Sequence, residues 1–349
     1  MSLDSDNTVG ASPEILEHII RCNEGSAGSY GADDITKRVD ALFSEFFERE
    51  VFAFPVATGT AANSLAISCY TPPFGAVYCH GAAHIMVDEC NGPEMFTGGA
   101  KLVPVTSEGT KLTLESLEAA HARGWSTSFH HAQPSMVSIT QATEGGTVYA
   151  LAEIEAIGGF AKSNGLALHL DGARFCNAMV SLDCSAADMS WRAGVDVVTF
   201  GATKNGALAA EAVVFFDKEK AQEFIFRRKR SGHQFSKQRF LSAQLEAMMT
   251  DDVWRRNAAH ANATARRLSD ALEACEGISM AYPVEANEIF VRIPDAAAAK
   301  MRASGIDLKS WPEFGPDCYR MVTSWCTGEE LIDPVIRAAQ AATAGQDGI

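Results

Sequence analysis

The sequence lacks several features that mark specialised classes of protein. Its nine cysteines are scattered without a CxxC pair, which argues against a disulfide scaffold and favours a reducing, cytoplasmic location. No apolar run approaches the roughly 20 residues that span a bilayer, and the N-terminus has neither the basic region nor the apolar run of a secretory signal. Neither a GxGxxG fingerprint nor a Walker loop occurs, so a nucleotide is not specifically indicated.

Basic residues are also scarce relative to acidic ones. The 349-residue chain has 29 lysines and arginines against 44 acidic residues, a net charge of −15. An acidic surface repels polyanions, so neither nucleic acid nor an anionic membrane is an expected partner. The histidines show no metal-ligand spacing, so we predict no metal site. With 47% hydrophobic and 21% charged residues, the composition is that of an ordinary globular protein.

Short apolar runs alternate with helical periodicity over the first two thirds of the chain. Strands are predicted at residues 51–56, 76–79, 101–105, 137–140, 166–170, 195–200 and 212–216. Such alternation predicts an α/β fold with a mostly parallel sheet. Later residues become helical and then mixed. We therefore expect a large α/β domain over residues 16–249, a smaller α+β domain over residues 250–349, and an N-terminal segment, residues 1–15, that packs with the small domain.

The first candidate for chemistry is Lys204, within Phe-Gly-Ala-Thr-Lys-Asn-Gly at residues 200–206. It follows a strand that is predicted to be buried. Because a charged lysine is costly to bury, a partly desolvated amine becomes a nucleophile that can form a Schiff base. An ordinary solvated lysine in a loop is the alternative.

The second candidate is the segment His-Leu-Asp-Gly-Ala-Arg at residues 169–174. It places Asp171 at the carboxyl end of a strand, where open α/β sheets bind ligands. An aspartate there can pair with a protonated pyridine nitrogen, and Arg174 can hold a carboxylate with two parallel hydrogen bonds. A helix N-cap for Asp171 and a surface ion pair for Arg174 are the alternatives.

Two further segments complete the set. Residues 57–63, Ala-Thr-Gly-Thr-Ala-Ala-Asn, join a strand to a helix whose N-terminal amides can bind phosphate. His84 can stack on a flat ring or act as a base. Each has an ordinary alternative, a capped helix start and a structural histidine. The order of all four segments along one chain indicates pyridoxal 5′-phosphate (PLP), because independent matches in that order are improbable.

In this order the segments resemble the low-specificity L-threonine aldolases, a family of PLP enzymes with the aspartate-aminotransferase-like fold, fold type I. The resemblance runs along most of the chain. It implies that Lys204 forms the Schiff base, that Asp171 pairs with the ring nitrogen, and that His84 stacks on the ring. The other implied cofactor and substrate contacts are those of Gly59, Thr60, Arg174, Arg230, Lys237, Ser5, Tyr30 and Arg320. Of these, Tyr30, Arg230 and Lys237 would serve a neighbouring subunit in a homodimer or homotetramer with shared active sites.

The implied reaction is the cleavage of threonine-like β-hydroxy amino acids to glycine and an aldehyde. A β-eliminating lyase or an aminotransferase of the same fold, and a non-catalytic binding protein, are the alternatives. Many members of the family carry histidine where residues 139–146 have none, and also where this chain has Ser324. The candidate bases for the β-hydroxyl are therefore His84, His131 and a water held by the cofactor.

Overall fold

The structure of the protein is a computed structural model that describes residues 3–123 and 128–344. Its strands are β1 (Phe52–Val56), β2 (Gly75–His80), β3 (Lys101–Val105), β4 (Gln133–Thr140), β5 (Ala167–Gly172), β6 (Val197–Gly201), β7 (Glu211–Phe215), β8 (Ser279–Met280), β9 (Glu288–Arg292), β10 (Lys309–Ser310) and β11 (Cys318–Val322).

The α-helices of the described residues surround these strands. They are α1 (Pro13–Cys22), α2 (Asp34–Phe46), α3 (Gly59–Tyr70), α4 (His84–Val87), α5 (Gly92–Thr97), α6 (Leu114–His121), α7 (Leu151–Ser163), α8 (Phe175–Leu182), α9 (Lys218–Arg230), α10 (Arg239–Met249), α11 (Val253–Glu273), α12 (Asp295–Ala303) and α13 (Glu329–Thr343). Two short 3-10 helices, Asp6–Thr8 and Thr203–Asn205, matter for the site described below.

The large sheet has seven strands in the order β1-β7-β6-β5-β4-β2-β3. Strand β7 runs antiparallel to both of its neighbours, and the other pairings are parallel. The predicted α/β fold with a mostly parallel sheet is confirmed. The apolar run that predicts β7 does not indicate whether this strand is parallel or antiparallel to its neighbours, because that depends on the connection from β6.

Both faces of this sheet are covered, which explains why its strands are apolar runs without polar alternation. Along β7, Val213 and Phe215 belong to one buried cluster, while Ala212 and Val214 belong to the cluster on the opposite face. Helix α3 is buried along most of its length, and it lies against the first of these faces. The sheet is thus a rigid platform whose strand ends can hold polar groups in fixed positions.

The second sheet is antiparallel, in the order β10-β11-β9-β8, and it has its own apolar core with α12 and α13. The N-terminal segment reaches it, because Leu3 accepts a backbone hydrogen bond from Val322 of β11. The predicted domain boundary lies at the break between α10 and α11, and a division there stays a prediction. Within residues 3–123 and 128–344, no helix has both the length and the apolar character needed to cross a membrane.

Candidate active site

A cleft of about 290 Å³ opens where β4, β5 and β6 end. The parallel register aligns Thr140 of β4 with Asp171 of β5, and Asp171 with Thr199 of β6. All three side chains line the cleft. The carboxyl edge of a parallel sheet therefore brings together residues that lie far apart in the sequence, as expected for a ligand site in an open α/β sheet.

Asp171 is buried and its carboxylate is fixed by two hydrogen bonds. Asn63 donates from Nδ2 to Asp171 Oδ2 at 2.7 Å, and the Ala173 amide donates to Oδ1 at 3.0 Å. The prediction placed Asp171 just after its strand, whereas β5 includes it.

His169 lies two residues before Asp171 on β5. Burial lowers the pKa of His169 to about 4, so this imidazole is neutral between the Ser138 and Thr199 hydroxyls.

Lys204 lies in a short 3-10 helix directly after β6, and it lines the same cleft. Glu211, the first residue of β7, is next to it and only 7% exposed. The Glu211 carboxyl accepts a hydrogen bond from the Ala202 amide at 2.8 Å. Burial raises the pKa of Glu211 to about 7 despite the nearby lysine charge. A carboxyl that is partly protonated near neutral pH and an amine therefore share one side of the cleft.

The N-terminus of α3 forms another wall. The Thr58 hydroxyl caps the helix by accepting from the Ala61 amide at 3.2 Å. Gly59 and Thr60 lie in the first turn of α3, where no carbonyl of the helix is available to accept from their amides. Both residues line the cleft. A Cβ atom on Gly59 would meet nothing within 4 Å, so the approach to these amides is open. Free amides at the positive end of a helix are suited to an anion.

His84 begins α4 and is held by two carboxylates, the buried Glu89 and the half-buried Glu144. Its Nδ1 lies 2.9 Å from Glu89 Oε1, and its backbone amide donates to Glu144 Oε1 at 2.8 Å. The hydrogen bond to Glu89 raises the pKa of His84. Asn63 also donates to Glu89, so a continuous chain of hydrogen bonds joins His84 to Asp171. This chain fixes the orientation of the imidazole at the cleft.

Arg174 carries an ion-pair network with two buried carboxylates, those of Asp6 and Glu288. Its Nε and Nη2 donate to the two oxygens of Asp6 at 2.9 and 3.0 Å, and its Nη1 lies 2.7 Å from Glu288 Oε2. Although burial opposes ionisation, the guanidinium lowers the pKa of Asp6. The same pairs keep the pKa of Arg174 above its ordinary value. Because Asp6 precedes α1 and Glu288 opens β9, this network ties the cleft to the small sheet.

A sequence model of the beta-eliminating lyase family matches residues 2–296. The chain belongs to the beta-eliminating lyase family. It is 40% identical to the low specificity L-threonine aldolase of Pseudomonas aeruginosa, over 95% of each chain. The structure of a Leishmania major threonine aldolase superposes with a TM-score of 0.91 at 30% identity, over 98% of this chain and 99% of that one. The predicted resemblance to threonine aldolases and the fold-type-I architecture are confirmed.

The fold alone is shared more widely by enzymes of other reaction types. An alanine–glyoxylate aminotransferase from Nostoc superposes with a TM-score of 0.69 at 17% identity, over 97% of this chain and 94% of that one. Beta-eliminating lyases and threonine aldolases depend on PLP, so the predicted cofactor is confirmed.

The residues of this lyase fit PLP. The open helix N-terminus suits its phosphate, and the fixed carboxylate of Asp171 suits a ring nitrogen that stays protonated. Lys204 offers the amine that a Schiff base requires. In addition, Asn63 Oδ1 is buried at the cleft without a hydrogen-bond partner among the described residues.

Several site residues predicted for the lyase lie outside this cleft. Ser5 caps the first 3-10 helix. Arg320, on β11, donates to the Asp4 carbonyl at 3.0 Å and stacks on Trp311. Burial raises the pKa of Glu288, the partner of Arg174, and Arg320 lies close enough to that carboxyl to oppose part of the rise.

Tyr30, Arg230 and Lys237 share a separate surface. Tyr30 is 49% exposed and donates its amide to the Ser236 carbonyl at 2.9 Å. Arg230 ends α9, and Lys237 follows Ser236; both are exposed. The chain's own cleft does not include these three residues. His131 precedes the amino end of β4, about 20 Å from the cleft by the length of the strand, so the structure does not favour it as a base of the same subunit.

Sequence reasoning missed one amide and four carboxyls of the lyase site, those of Asp6, Glu144, Glu211 and Glu288. Asn63 could have been found, since it follows Gly59 by four residues and thus shares a helix face with it. Glu211 opens an otherwise apolar strand, which is a weaker signal of a buried acid. Nothing in the local sequence marks Asp6 or Glu288 as partners of Arg174.

Proposed function

We propose that the chain is a PLP-dependent aldolase. It cleaves L-threonine, L-allo-threonine and related β-hydroxy-α-amino acids to glycine and an aldehyde. The observation that carries this proposal is the meeting of Lys204, Asp171 and the N-terminus of α3 in one cleft, in a chain 40% identical to a protein named low specificity L-threonine aldolase.

When bound, PLP supplies a cationic ring that stabilises the electron pair left on Cα as the Cα–Cβ bond breaks. Lys204 would hold it covalently, Gly59 and Thr60 would bind its phosphate, and His84 would lie against its ring. Asp171 would keep the ring nitrogen protonated, and its hydrogen bonds to Asn63 and the Ala173 amide hold it in place for that role. The protein's part is thus positioning and electrostatics.

The substrate carboxylate requires cations near the cleft. Arg174 lines the cleft, although three of its five N–H groups already face Asp6 and Glu288. We assign the carboxylate to the remaining N–H groups of Arg174 together with Arg320 and Ser5. Because Arg320 is anchored through the Asp4 carbonyl, the N-terminal segment would position both groups.

The functional unit proposed here is a homodimer or homotetramer with shared active sites, in the cytoplasm. Tyr30, Arg230 and Lys237 lie on a common surface away from the chain's own cleft, which supports their serving a neighbouring subunit. The exposed Phe226 and Phe235 lie on the same stretch and would be covered by such a partner. Sedimentation of the holoenzyme tests the assembly, and a monomer that is fully active would contradict it.

An absorbance spectrum followed by product analysis tests the activity. The purified protein should be yellow, and borohydride should bleach it. With L-threonine or L-allo-threonine the products should be glycine and acetaldehyde. A colourless protein that stays inert toward β-hydroxy amino acids after PLP is added would refute the proposal.

The alternatives within PLP chemistry are a β-eliminating lyase and an aminotransferase. The family description favours the first, and the Nostoc neighbour has the fold of the second. Product analysis separates them from the aldolase, because elimination yields a 2-oxo acid with ammonia. Transamination yields a 2-oxo acid while the cofactor becomes pyridoxamine phosphate.

A further inference from the structure

Cleavage of a β-hydroxy amino acid requires a group that removes the hydroxyl proton, and the cleft contains a carboxyl whose role is open. Glu144 follows β4 and lines the cleft with Thr140 and His84. Thr140 donates its hydroxyl to Glu144 Oε1 at 2.8 Å, and the His84 amide donates to the same oxygen at 2.8 Å. In the described part of the chain, no side chain or amide of another residue donates to Oε2, and the one further backbone hydrogen bond to this carboxyl comes from the amide of Glu144 itself. Oε1 therefore holds the carboxyl in place, and Oε2 remains available to a ligand.

The loop that carries Glu144 is held rigidly. Gln141 exchanges two hydrogen bonds with the backbone of Tyr149, at 2.9 and 3.0 Å. The hydroxyls of Thr143 and Thr147 are 2.7 Å apart in the same turn. Gly146 has φ +75° and would place a Cβ atom 2.8 Å from the Glu288 carbonyl, so only glycine fits there. Glu144 is thus positioned in advance, as an acid–base group must be.

The surroundings of Glu144 favour exchange of a proton at neutral pH. The titratable and charged groups that face it are Asp171, Arg174, His84, Cys79 and Tyr149. Burial is the main cause that raises the pKa of Glu144 to about 7, and the negative charge of Asp171 adds to it. A group with a pKa near the working pH accepts and returns a proton with little loss on either step.

The other titratable groups of the cleft are committed elsewhere. Asp171 has both oxygens engaged by Asn63 and the Ala173 amide. Glu211 lies on β7, on the other side of β5 from Glu144, beside Lys204. His84 uses Nδ1 to bind Glu89. Its ring is also the group assigned to the face of the cofactor.

We propose that Glu144 is the catalytic residue that accepts the proton of the substrate's β-hydroxyl, which rests on the aldolase activity proposed above. The O–H proton passes to Oε2 of Glu144, and the O–H electron pair becomes the second bond of the aldehyde carbonyl. The Cα–Cβ bond breaks and its electron pair stays on Cα. Cα then takes up one proton to become the methylene of glycine, and Glu144 loses its proton, so the reaction is balanced without another reactant.

The test is Glu144→Gln in the holoenzyme. An amide keeps an oxygen for Thr140 and for the His84 amide but cannot accept the proton. We expect kcat for L-threonine to fall by about 10²- to 10⁴-fold. The limb of the kcat–pH profile near neutrality should disappear. Glycine has no β-hydroxyl, so its dissociation constant, measured from the change in cofactor absorbance, should change by less than about threefold.

Infrared spectroscopy gives a readout that does not depend on turnover. Glu144 and Glu211 should each contribute to the band of protonated carboxyls that titrates near neutral pH. Glu144→Gln should remove one component of this band, and Glu211→Gln should remove the other. Glu144→Asp keeps an ionisable group and should retain the pH limb at a reduced rate. The matched control is Glu246→Gln, which makes the same chemical change on α10 away from the cleft and should leave kcat unchanged.

The outcomes separate the two proposals. A wild-type enzyme that cleaves no β-hydroxy amino acid refutes the aldolase activity. An active wild-type enzyme whose Glu144→Gln variant keeps kcat within threefold and retains the pH limb overturns the role of Glu144 alone. A variant that loses glycine binding as much as it loses kcat also overturns that role, since Glu144 would then be structural.

Discussion

We predict that Glu211→Gln changes how the free energy of unfolding depends on pH, because ionisation of the Glu211 carboxyl lowers the stability of the folded protein. Glu211 is 7% exposed, and burial raises its pKa from 4.5 to about 7. Each tenfold change in a proton's binding constant is worth about 1.4 kcal/mol, so this rise corresponds to roughly 3 kcal/mol. The folded protein thus holds a proton that the unfolded chain releases at lower pH.

The sign follows from proton linkage. Between about pH 4.5 and about pH 7 the folded state binds more protons than the unfolded state, so the stability from Glu211 is complete below that window and is lost as pH rises through it. A glutamine cannot ionise. The free energy of unfolding of Glu211→Gln should therefore rise relative to wild type by roughly 2 to 3 kcal/mol between pH 5 and pH 8.

Urea unfolding of both proteins at several pH values measures this difference. Glu246→Gln, on α10, removes an ion pair with Arg38 and should instead shift the free energy of unfolding by a constant amount of about 1 kcal/mol or less at every pH. A difference between Glu211→Gln and wild type that stays constant from pH 5 to pH 8 would refute the reasoning. It would mean that Glu211 is ionised throughout, stabilised by the amine of Lys204 more strongly than burial disfavours it.

Three further substitutions test the cleft. Lys204→Ala should abolish the visible absorbance band of the bound cofactor, and a band that persists would remove Lys204 from its role. Asp171→Asn should keep the circular dichroism of wild type but lower kcat/KM by about 10²-fold or more; near-normal turnover would mean that another group protonates the ring. Arg174→Ala leaves the buried Asp6 and Glu288 without their cation and should reduce the free energy of unfolding by about 3 to 5 kcal/mol in urea titration, so a loss below about 1 kcal/mol would contradict a persistent ion pair.

The periodicity of the sequence was sufficient to predict most strands of the large sheet. The strand predicted at residues 101–105 matches β3 in its bounds. Its burial depends on the local spacing of apolar residues, which a single sequence displays. The position of each strand within the sheet could not be predicted in this way, because the order of the strands and the direction of β7 depend on long connections.

The parts of the site that the sequence did not reveal are contacts between distant residues. Asn63 binds Asp171 across 108 residues, and Arg174 binds Asp6 across 168 residues. Local spacing indicates that each side chain is polar and near a strand or helix end, but packing of the elements selects the partner. The partial burial of Glu144 has the same origin, because a glutamate before two glycines has the local character of a solvated turn.

Packing also explains how an acidic cleft can take an anionic ligand. Asp171, Glu144 and Glu211 all line it, whereas Lys204 and Arg174 are its cations. If every acid were ionised, the phosphate and carboxylate of the ligands would meet net repulsion. Burial raises the pKa of Glu144 and of Glu211 to about 7, so near neutral pH much of that charge is absent.

The remaining carboxylate, Asp171, is held by Asn63 and the Ala173 amide, and in the proposed function its negative charge would be balanced by a cationic ring nitrogen. In the proposed function, phosphate would meet the amides of Gly59 and Thr60, which carry the positive end of α3 without adding a side-chain charge. If Arg230 and Lys237 also reach a neighbouring subunit's phosphate, assembly adds the cations that the single chain does not direct at its own cleft. In this arrangement the acidic residues that give the chain its low pI are not the groups that would bind anions in the cleft. The net charge alone therefore could not identify the ligand.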